Sequence, residues 1–575
     1  MASIRTTKPA KRWEVVAPSD VSALASELEL PPAIAGILIA RGIRTVEAAQ
    51  VFLHPSLNDL HDPLLLRDMP IAIDRLRRAI AAGERIEIHG DYDVDGTTST
   101  VILKTAIGLA GGRADFWIPH RVKDGYGMRE SAVDLAAERG VKLIISVDTG
   151  IRAAAAVNRA RELGIDVIVT DHHLPDQTLP AALAVVNPNR LDCTYPEKNL
   201  CGAGVAFKLA QGLIETLGWP KDKRDRMLAS FLKLAAIATV ADVVPLTGEN
   251  RIIVSHGLRG LAHTRNPGLR ALLDAAGVPP GRAPNVGQVG FRIAPRINAA
   301  GRMASADEVM QLFAADGDEK ARAIAERLTR LNTERQDEEA RIIDEILLDC
   351  EGHLPAELPA AFVFAGEAWH RGVLGIVASR LAERFCRPTV VLGIENGEAA
   401  GSARSIRAFH LLESLESMRH LFVKFGGHRQ AAGMTLETAR VDEFRAAFAG
   451  FAASVLREED FVPVQRVDAE VRFTDINNSF WRQLSRLEPF GMGNSTPVLM
   501  ARGVEIVSEP EVMKEKHLKF SASQGGRVIK FKAFGFVERA AEVFRGALVD
   551  LTFQMEADDY WGGFCTKVCD VRPAS

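Results

Sequence analysis

Cysteine is scarce in this sequence: there are six in 575 residues, and no two are spaced as a C-x-x-C pair. That scarcity argues against a disulfide framework and makes a reducing compartment, the cytoplasm, the expectation. Cys565 and Cys569 could form half of a zinc site, but with no second pair nearby they read as ordinary strand residues. Long apolar runs are missing too. The most apolar early stretch, Pro31 to Ala40, is short and opens on two prolines, so neither a signal peptide nor a membrane span is expected. Nor does charge of one sign dominate, since 70 Lys and Arg face 74 Asp and Glu for a net charge of −4. This excludes a strongly basic protein that coats polyanions but leaves room for a local basic channel.

What is present is the composition of a soluble globular protein, 47% apolar and 25% charged. A single core stops growing at roughly 250 to 300 residues, so roughly three to five domains are expected. Residues 1–80 read as a mostly helical lead-in with several prolines. From Arg85 three β-branched runs, Arg85 to His89, Lys142 to Val147 and Asp166 to Thr170, alternate with alanine-rich helical stretches. Strand, helix, strand is the pattern of a parallel sheet with crossover helices, here over residues 81–250. Residues 251–350 look helical and end in a charged run in which Ile324, Leu328, Leu331, Ile342 and Ile346 recur near helical spacing, a long connecting helix. A second α/β unit follows over 351–460, after the linker from His353 to Pro359. Alternating strands with a glycine turn at Gly525-Gly526 then predict a small β-barrel over 461–575.

Chemistry concentrates at the ends of the predicted strands. The first runs directly into His89-Gly-Asp-Tyr-Asp-Val-Asp-Gly96, the second into Asp148-Thr-Gly150, and the third into Asp171-His-His173. Ligands of an open parallel sheet bind outside the carboxyl ends of its strands, so the three loops should share one cleft. Asp242 interrupts the apolar run from Ala238 to Pro245, where an isolated carboxylate would be costly. Any one of these aspartates alone would read as a turn former or helix cap, Asp95 included. Four such elements together favour a hard or borderline divalent cation such as Mn2+ or Mg2+, because oxygen and imidazole donors converge without cysteine. Two ions bridged by one carboxylate would relieve the mutual repulsion and clamp an in-line phosphoryl displacement.

These four elements, in order and spacing, resemble the motifs of the DHH phosphoesterases. The resemblance implies that His89, Asp93 and Asp148 hold one ion and that Asp95, Asp148, His172 and Asp242 hold the other, with Asp148 as the bridge. It further implies that Asp91 positions the attacking water and that His173 contacts the scissile phosphate. The segments Ile118-Pro-His-Arg121 with Gly125-Tyr-Gly127, Leu200 to Phe207 and Pro295 to Arg302 resemble the single-strand-specific exonuclease branch of that superfamily. So do Trp369 to Ser379, Gly401 to Ser405, Gly426 to Gly433, and Glu488 to Asn494. This likeness spans nearly the whole chain. It implies a DHH domain, a DHH-associated domain and an OB-fold barrel, acting on single-stranded DNA from its 5′ end and releasing mononucleotides in DNA repair and recombination. A helicase and a single-strand-binding protein would be its working partners.

The later motifs also carry a physical reading. Gly426 and Gly427 would let backbone amides approach a phosphate, with Ser402, Arg404, His428 and His370 as further donors. Arg121, Arg296, Asn298 and Arg302 would track a nucleic-acid backbone or, more plainly, cap helices and face solvent. In the barrel Lys516, Lys519, Lys530 and Lys532 interleave with Phe520, Phe531 and Phe534, which would either stack bases or fill the core. Two alternatives stand beside the exonuclease. A superfamily enzyme for short oligoribonucleotides, pyrophosphate or a small phosphoester would need only the first and third units. A metal-free scaffold would have no reason to keep repelling carboxylates in one cleft.

Overall fold

The structure, a computed structural model, describes residues 11–16, 20–121, 124–125, 127–353, 358–558 and 562–574. Tyr126 and residues 354–357 of the predicted linker lie outside them. Two units are present. One comprises Val51–Arg335 with Glu488–Ser495, and the other the described residues of Met1–Gln50, Gln336–Leu487 and Thr496–Ser575.

Strand β1 (Arg12–Val15) opens the chain, and helices Ser22–Glu27, Pro32–Ala40, Val46–Leu53 and Met69–Ala81 make the lead-in mostly helical. The sheet of the first unit follows: β2 (Ile86–His89), β3 (Ala114–Trp117), β4 (Leu143–Val147), β5 (Asp166–Thr170) and β6 (Ala184–Val186), ordered β3-β2-β4-β5-β6 and parallel throughout. Both faces are covered, which is why β2, β4 and β6 are buried at every position. Ile86, Ile88, Leu143, Ile145 and Ile168 enter a core shared with helices Val94–Leu109 and Gly202–Glu215. On the other face Ile144, Val167 and Val169 pack with residues of helices Glu130–Glu138 and Ala154–Glu162. Strand order reverses at β2, so the crevice between the carboxyl ends of β2 and β4 is the switch point where a doubly wound sheet binds its ligand.

The helices after residue 250 are not a separate connector as far as Arg335. Ile253, Leu258, Leu269, Leu312 and Leu328 join the same core as the sheet. The long helix runs Asp318–His353 and buries Leu328, Ile342 and Ile346 on one stripe.

In the second unit β7 (Phe362–Glu367), β8 (Thr389–Glu395), β9 (Glu398–Arg404), β10 (Lys424–Gly427) and β11 (Ala431–Glu437) form a sheet ordered β10-β11-β9-β8-β7, parallel only between β7 and β8. β12 (Val464–Val467) pairs with β1. β13 (Ala469–Glu470), β14 (Leu499–Ile506), β15 (Glu511–Met513), β16 (His517–Gln524), β17 (Arg527–Ala533), β18 (Leu548–Ala557) and β19 (Phe564–Pro573) build the barrel, closed by a β14–β16 pairing. Gly525 and Gly526 make the hairpin with φ of +57° and +77°. Phe520 and Phe531 are core residues, while Phe534 is exposed with Lys567 over its ring. Alternation along β17 points Lys530 and Lys532 away from the core that Phe531 fills.

Candidate metal centre and phosphate-binding loops

Motif loop 90–96 is shaped by its own side chains. Asp93, not Asp95, is the helix N-cap: its Oδ1 accepts from Gly96 N at 3.0 Å. The next turns are a polar run, Thr97 to Thr100, yet fully buried. Burial is tolerable because each hydroxyl donates to a carbonyl four residues back. Asp95, in the first turn of the helix, is held from another segment: Gly202 N donates to its Oδ2 at 2.6 Å and Ala203 N to its Oδ1 at 2.7 Å. Those amides open helix Gly202–Glu215, whose N-terminus favours a carboxylate. Only glycine fits at 202, since a Cβ there would lie 2.6 Å from Asp148 Cβ.

Asp148 follows β4 with φ of +58°, and Val243, directly after Asp242, has the same φ. Left-handed backbone at a β-branched residue is strained, and strain of this kind persists where the surroundings impose it. The ligand atoms converge in three groups, each with mutual separations within 4.8 Å: Asp91, Asp93 and Asp148; Asp95, His172 and Asp242; and Asp148, His172 and His173. His172 Nε2 lies 3.2 Å from Asp148 Oδ1 and 3.7 Å from both Asp95 Oδ2 and Asp242 Oδ2, yet makes no hydrogen bond. Asp91 Oδ1 is likewise buried without a hydrogen bond. Buried donor atoms clustered but not bonded to one another fit divalent cations.

Electrostatics agree. Burial raises Asp148 well above the ordinary carboxylate range, and the charges of Asp95, Asp93, Asp91 and Asp242 push the same way. Asp91 is raised by burial and Asp93, Asp93 by burial and Asp95. Asp242 is raised to about 9, by burial first and then by Asp95 and Asp93. These groups cannot all ionise together without a compensating cation. Burial lowers His172, keeping its imidazole neutral and able to ligate. Burial would lower His173 as well, but its hydrogen bond to Asp171 and the charges of Asp171, Asp242 and Asp95 raise it to about 9.

Asp171 itself, absent from the sequence-derived site residues, is a positioning residue. Burial would raise it, but the hydrogen bond and charge of His173 outweigh that, and it is lowered. It accepts from His173 Nδ1 at 2.7 Å and from the backbone N–H of Ile151, His172 and His173. His89 falls in none of these three groups, although its Nδ1 is buried without a hydrogen bond. It shares a strand face with Glu87, its Nε2 lies 2.8 Å from Glu87 Oε1, its ring packs on Trp117, and Glu87 in turn pairs with Arg139.

The basic candidates divide between the units. In the first, Arg121 lies over the Tyr92 ring at 4.9 Å, and burial and neighbouring Arg121 and Arg335 lower Arg302 to about 10. A pair of like charges beside the motif loop suits an anion. Asn298 instead holds the loop, its Oδ1 accepting from Val94 N at 3.1 Å, and Arg296 donates to Thr329 Oγ1 and the Arg292 carbonyl. In the second unit Gly426, Gly433 and Ser402 stand in one row across β10, β11 and β9, and Arg404 pairs in register with Ala431, beside the Gly427-to-Ala431 turn that carries His428. A Cβ on Gly375 would lie 3.0 Å from Arg404 Nη2 and 3.5 Å from Ser402 Oγ. Both side chains therefore face the first turn of helix Leu374–Phe385. His370 lies just before that helix, its Nδ1 accepting from Gly372 N.

Comparison with known proteins accords with this arrangement. Residues 85–239 match the family model of the DHH family, N-terminal domain, residues 358–454 that of the DHHA1 domain, and residues 467–564 that of the RecJ OB domain. The chain is 40% identical over 554 residues to the single-stranded-DNA-specific exonuclease RecJ of Bacillus subtilis, covering 96% of this chain and 69% of that one. Crystal structures of Thermus thermophilus RecJ match as well. The Mn2+ complex has a TM-score of 0.83 at 31% identity, covering 98% of this chain and 80% of that one. The Mg2+ complex has a TM-score of 0.75 at 29% identity, covering 98% and 79%.

Proposed function

The chain belongs to the RecJ family of DHH exonucleases, and from that premise we propose that it removes mononucleotides from the 5′ end of single-stranded DNA by two-metal hydrolysis. The observation that carries the chemistry is the convergence of buried Asp91, Asp95 and Asp148 with half-buried Asp93, His172 and Asp242 at the β2/β4 switch point. In this reading Asp91, which the resemblance assigned to the attacking water, would join Asp93 and Asp148 in holding one Mn2+ or Mg2+, and Asp95, His172 and Asp242 would hold the other. Asp148, 3.2 Å from His172, would be within reach of both. Bound there, the cations would supply Lewis-acid polarisation of the scissile phosphate and neutralise the charge that develops on it. The chain's own groups do the rest. Gly202 and Ala203 amides fix the Asp95 carboxylate, and Asp171 fixes the His173 ring. His173, raised by its hydrogen bond to Asp171, would donate to a non-bridging phosphate oxygen. Arg121 and Arg302 would grip the backbone beside the scissile linkage.

Ser402, Arg404, His428, His370 and the Gly426-Gly427 strand would hold a further phosphate on the second unit, and the barrel's outward lysines would hold the strand. The 5′-to-3′ polarity and a role in repair and recombination, with a helicase and a single-strand-binding protein, come with the family premise. So does the cytoplasm. No helix among the described residues is long and apolar enough to cross a membrane. A single-stranded oligonucleotide labelled at either end and incubated with Mn2+ tests the proposal. The 5′ label should appear only as mononucleotide from the earliest time. Labelled 5′ fragments of intermediate length, or attack from the 3′ end, would sink it.

A further inference from the structure

One aromatic ring near the metal centre has no structural reason to be where it is. Residues Val289–Ile293 form a π-helical turn between the short turn Val286–Gln288 and helix Ala294–Met303. Such turns insert an extra residue, are rare, and recur at functional sites. Here the consequence is Phe291. Its neighbours Val289 and Ile293 are completely buried, whereas Phe291 is 85% exposed, more than any other phenylalanine among the described residues. A side chain that forfeits burial to this degree contributes nothing to the core.

The turn is clamped to the metal centre on both sides. It packs on helix Lys221–Ala241, which delivers Asp242: a Cβ on Gly290 would lie 3.9 Å from Val240 Cγ1. On the other side, the helix that follows carries Asn298, bonded to Val94 N, and Gly301, where a Cβ would meet the Tyr92 carbonyl oxygen at 2.6 Å. Arg292 and Arg296, spaced i and i+4, follow Phe291 directly along the chain, and Arg296 donates to the Arg292 carbonyl. Like charges at that spacing are unfavourable by themselves and suit an anion. The strained Val243, 64% exposed next to Asp242, adds a second apolar side chain at the same centre.

We propose that Phe291 is a nucleobase-stacking site on the catalytic unit, with Arg292 and Arg296 on the adjoining phosphates. The occupant is a base of the single strand whose backbone the metal centre cleaves, so the inference rests on the exonuclease reading. Aromatic stacking with neighbouring cations is how single strands are held without sequence preference, because every base offers a π-face. A flat ring on a turn fixed at both ends would present the base at a constant distance from the metals and set the register of the linkage to be cut.

The test compares wild type, Phe291→Ala and Phe291→Trp on an oligonucleotide and on versions with one abasic residue moved stepwise from the 5′ end. Phe291→Ala should raise KM about tenfold, more than it lowers kcat, and Phe291→Trp should restore it. One abasic position should cost wild type a similar factor and cost Phe291→Ala nothing. An unchanged KM in Phe291→Ala, or an abasic penalty that persists in it, overturns the proposal. Equilibrium binding of a 2-aminopurine strand without added metal separates the two readings. If wild type quenches the probe and Phe291→Ala does not, stacking stands even where no hydrolysis is found. Equal quenching by both proteins overturns it. A changed oligomeric state in Phe291→Ala with unaltered strand binding would assign the ring to a protein contact and also overturn it.

Discussion

Asp242 carries the clearest pH consequence at the scale of single residues. In the metal-free protein its folded value is about 9, against about 4 for a carboxyl in the unfolded chain. Between those values the folded state holds the extra proton, so stability falls as pH rises. The contribution is fully present below about 4 and is lost through about 9. Asp242→Asn should therefore raise the Tm of the metal-free protein at pH 8 by a few degrees and flatten its fall with pH, while abolishing the Tm gain that Mn2+ gives wild type. Thermal melts across pH 5 to 9, with and without Mn2+, check both halves, and a variant that still gains stability from Mn2+ would exclude Asp242 as a ligand. Asp148→Ala should cost kcat about a thousandfold, more than any arginine substitution, because Asp148 stands in two of the three groups of converging donor atoms.

Helix Gly202–Glu215 decides whether the ligands are aligned at the scale of elements. Its first two amides hold Asp95 while its first residue lies against Asp148, so one helix end sets two carboxylates. Gly202→Ala should force a shift worth about 1–3 kcal/mol, seen as weaker Mn2+ affinity by calorimetry and a kcat at least about tenfold lower. Native Mn2+ affinity in that variant would show the close approach to be incidental. The strand-end motifs were legible in the sequence because a parallel sheet brings its carboxyl ends together whatever lies between them. Residues 200–207 stood out in the sequence only through the family resemblance and not as a holder of Asp95, since nothing in them names a partner more than a hundred positions away. His89 shows the limit differently. It completes a familiar spacing, yet side chains alternate along a strand, and that parity puts it beside Glu87 and Trp117.

At the scale of the whole molecule, chain order and packing order diverge. Glu488–Ser495, which the sequence places within the barrel region 461–575, belongs to the catalytic unit. Leu246 N donates to the Met492 carbonyl at 2.7 Å and Arg251 Nη2 to that of Glu488. Gly493, with φ of +70°, has its Cβ position 3.1 Å from Pro245 Cβ, on the loop that begins with Asp242. Gly493→Val should therefore reduce kcat about tenfold or more by disturbing that loop while long-strand affinity holds. Lys530→Ala with Lys532→Ala should do the reverse, weakening long-strand binding and lowering its salt slope by roughly one per lysine. Binding titrations at two salt concentrations beside steady-state kinetics distinguish them, and a Gly493→Val enzyme that loses only affinity would refute the assignment.

The sequence by itself determined the elements and the chemistry: parallel strands ending in carboxylates and imidazoles, a long helix with a buried stripe, and a barrel with alternating faces. Those follow from periodicity and from residue type, which act locally and survive without knowledge of the rest of the chain. Tertiary structure alone decided which carboxylates meet, that Asp95 is held by the Gly202 helix, that Asn298 serves the metal loop, and that Phe291 stands in solvent. Each depends on the approach of segments distant in sequence, and such contacts are set by packing of the whole core, which no local pattern specifies.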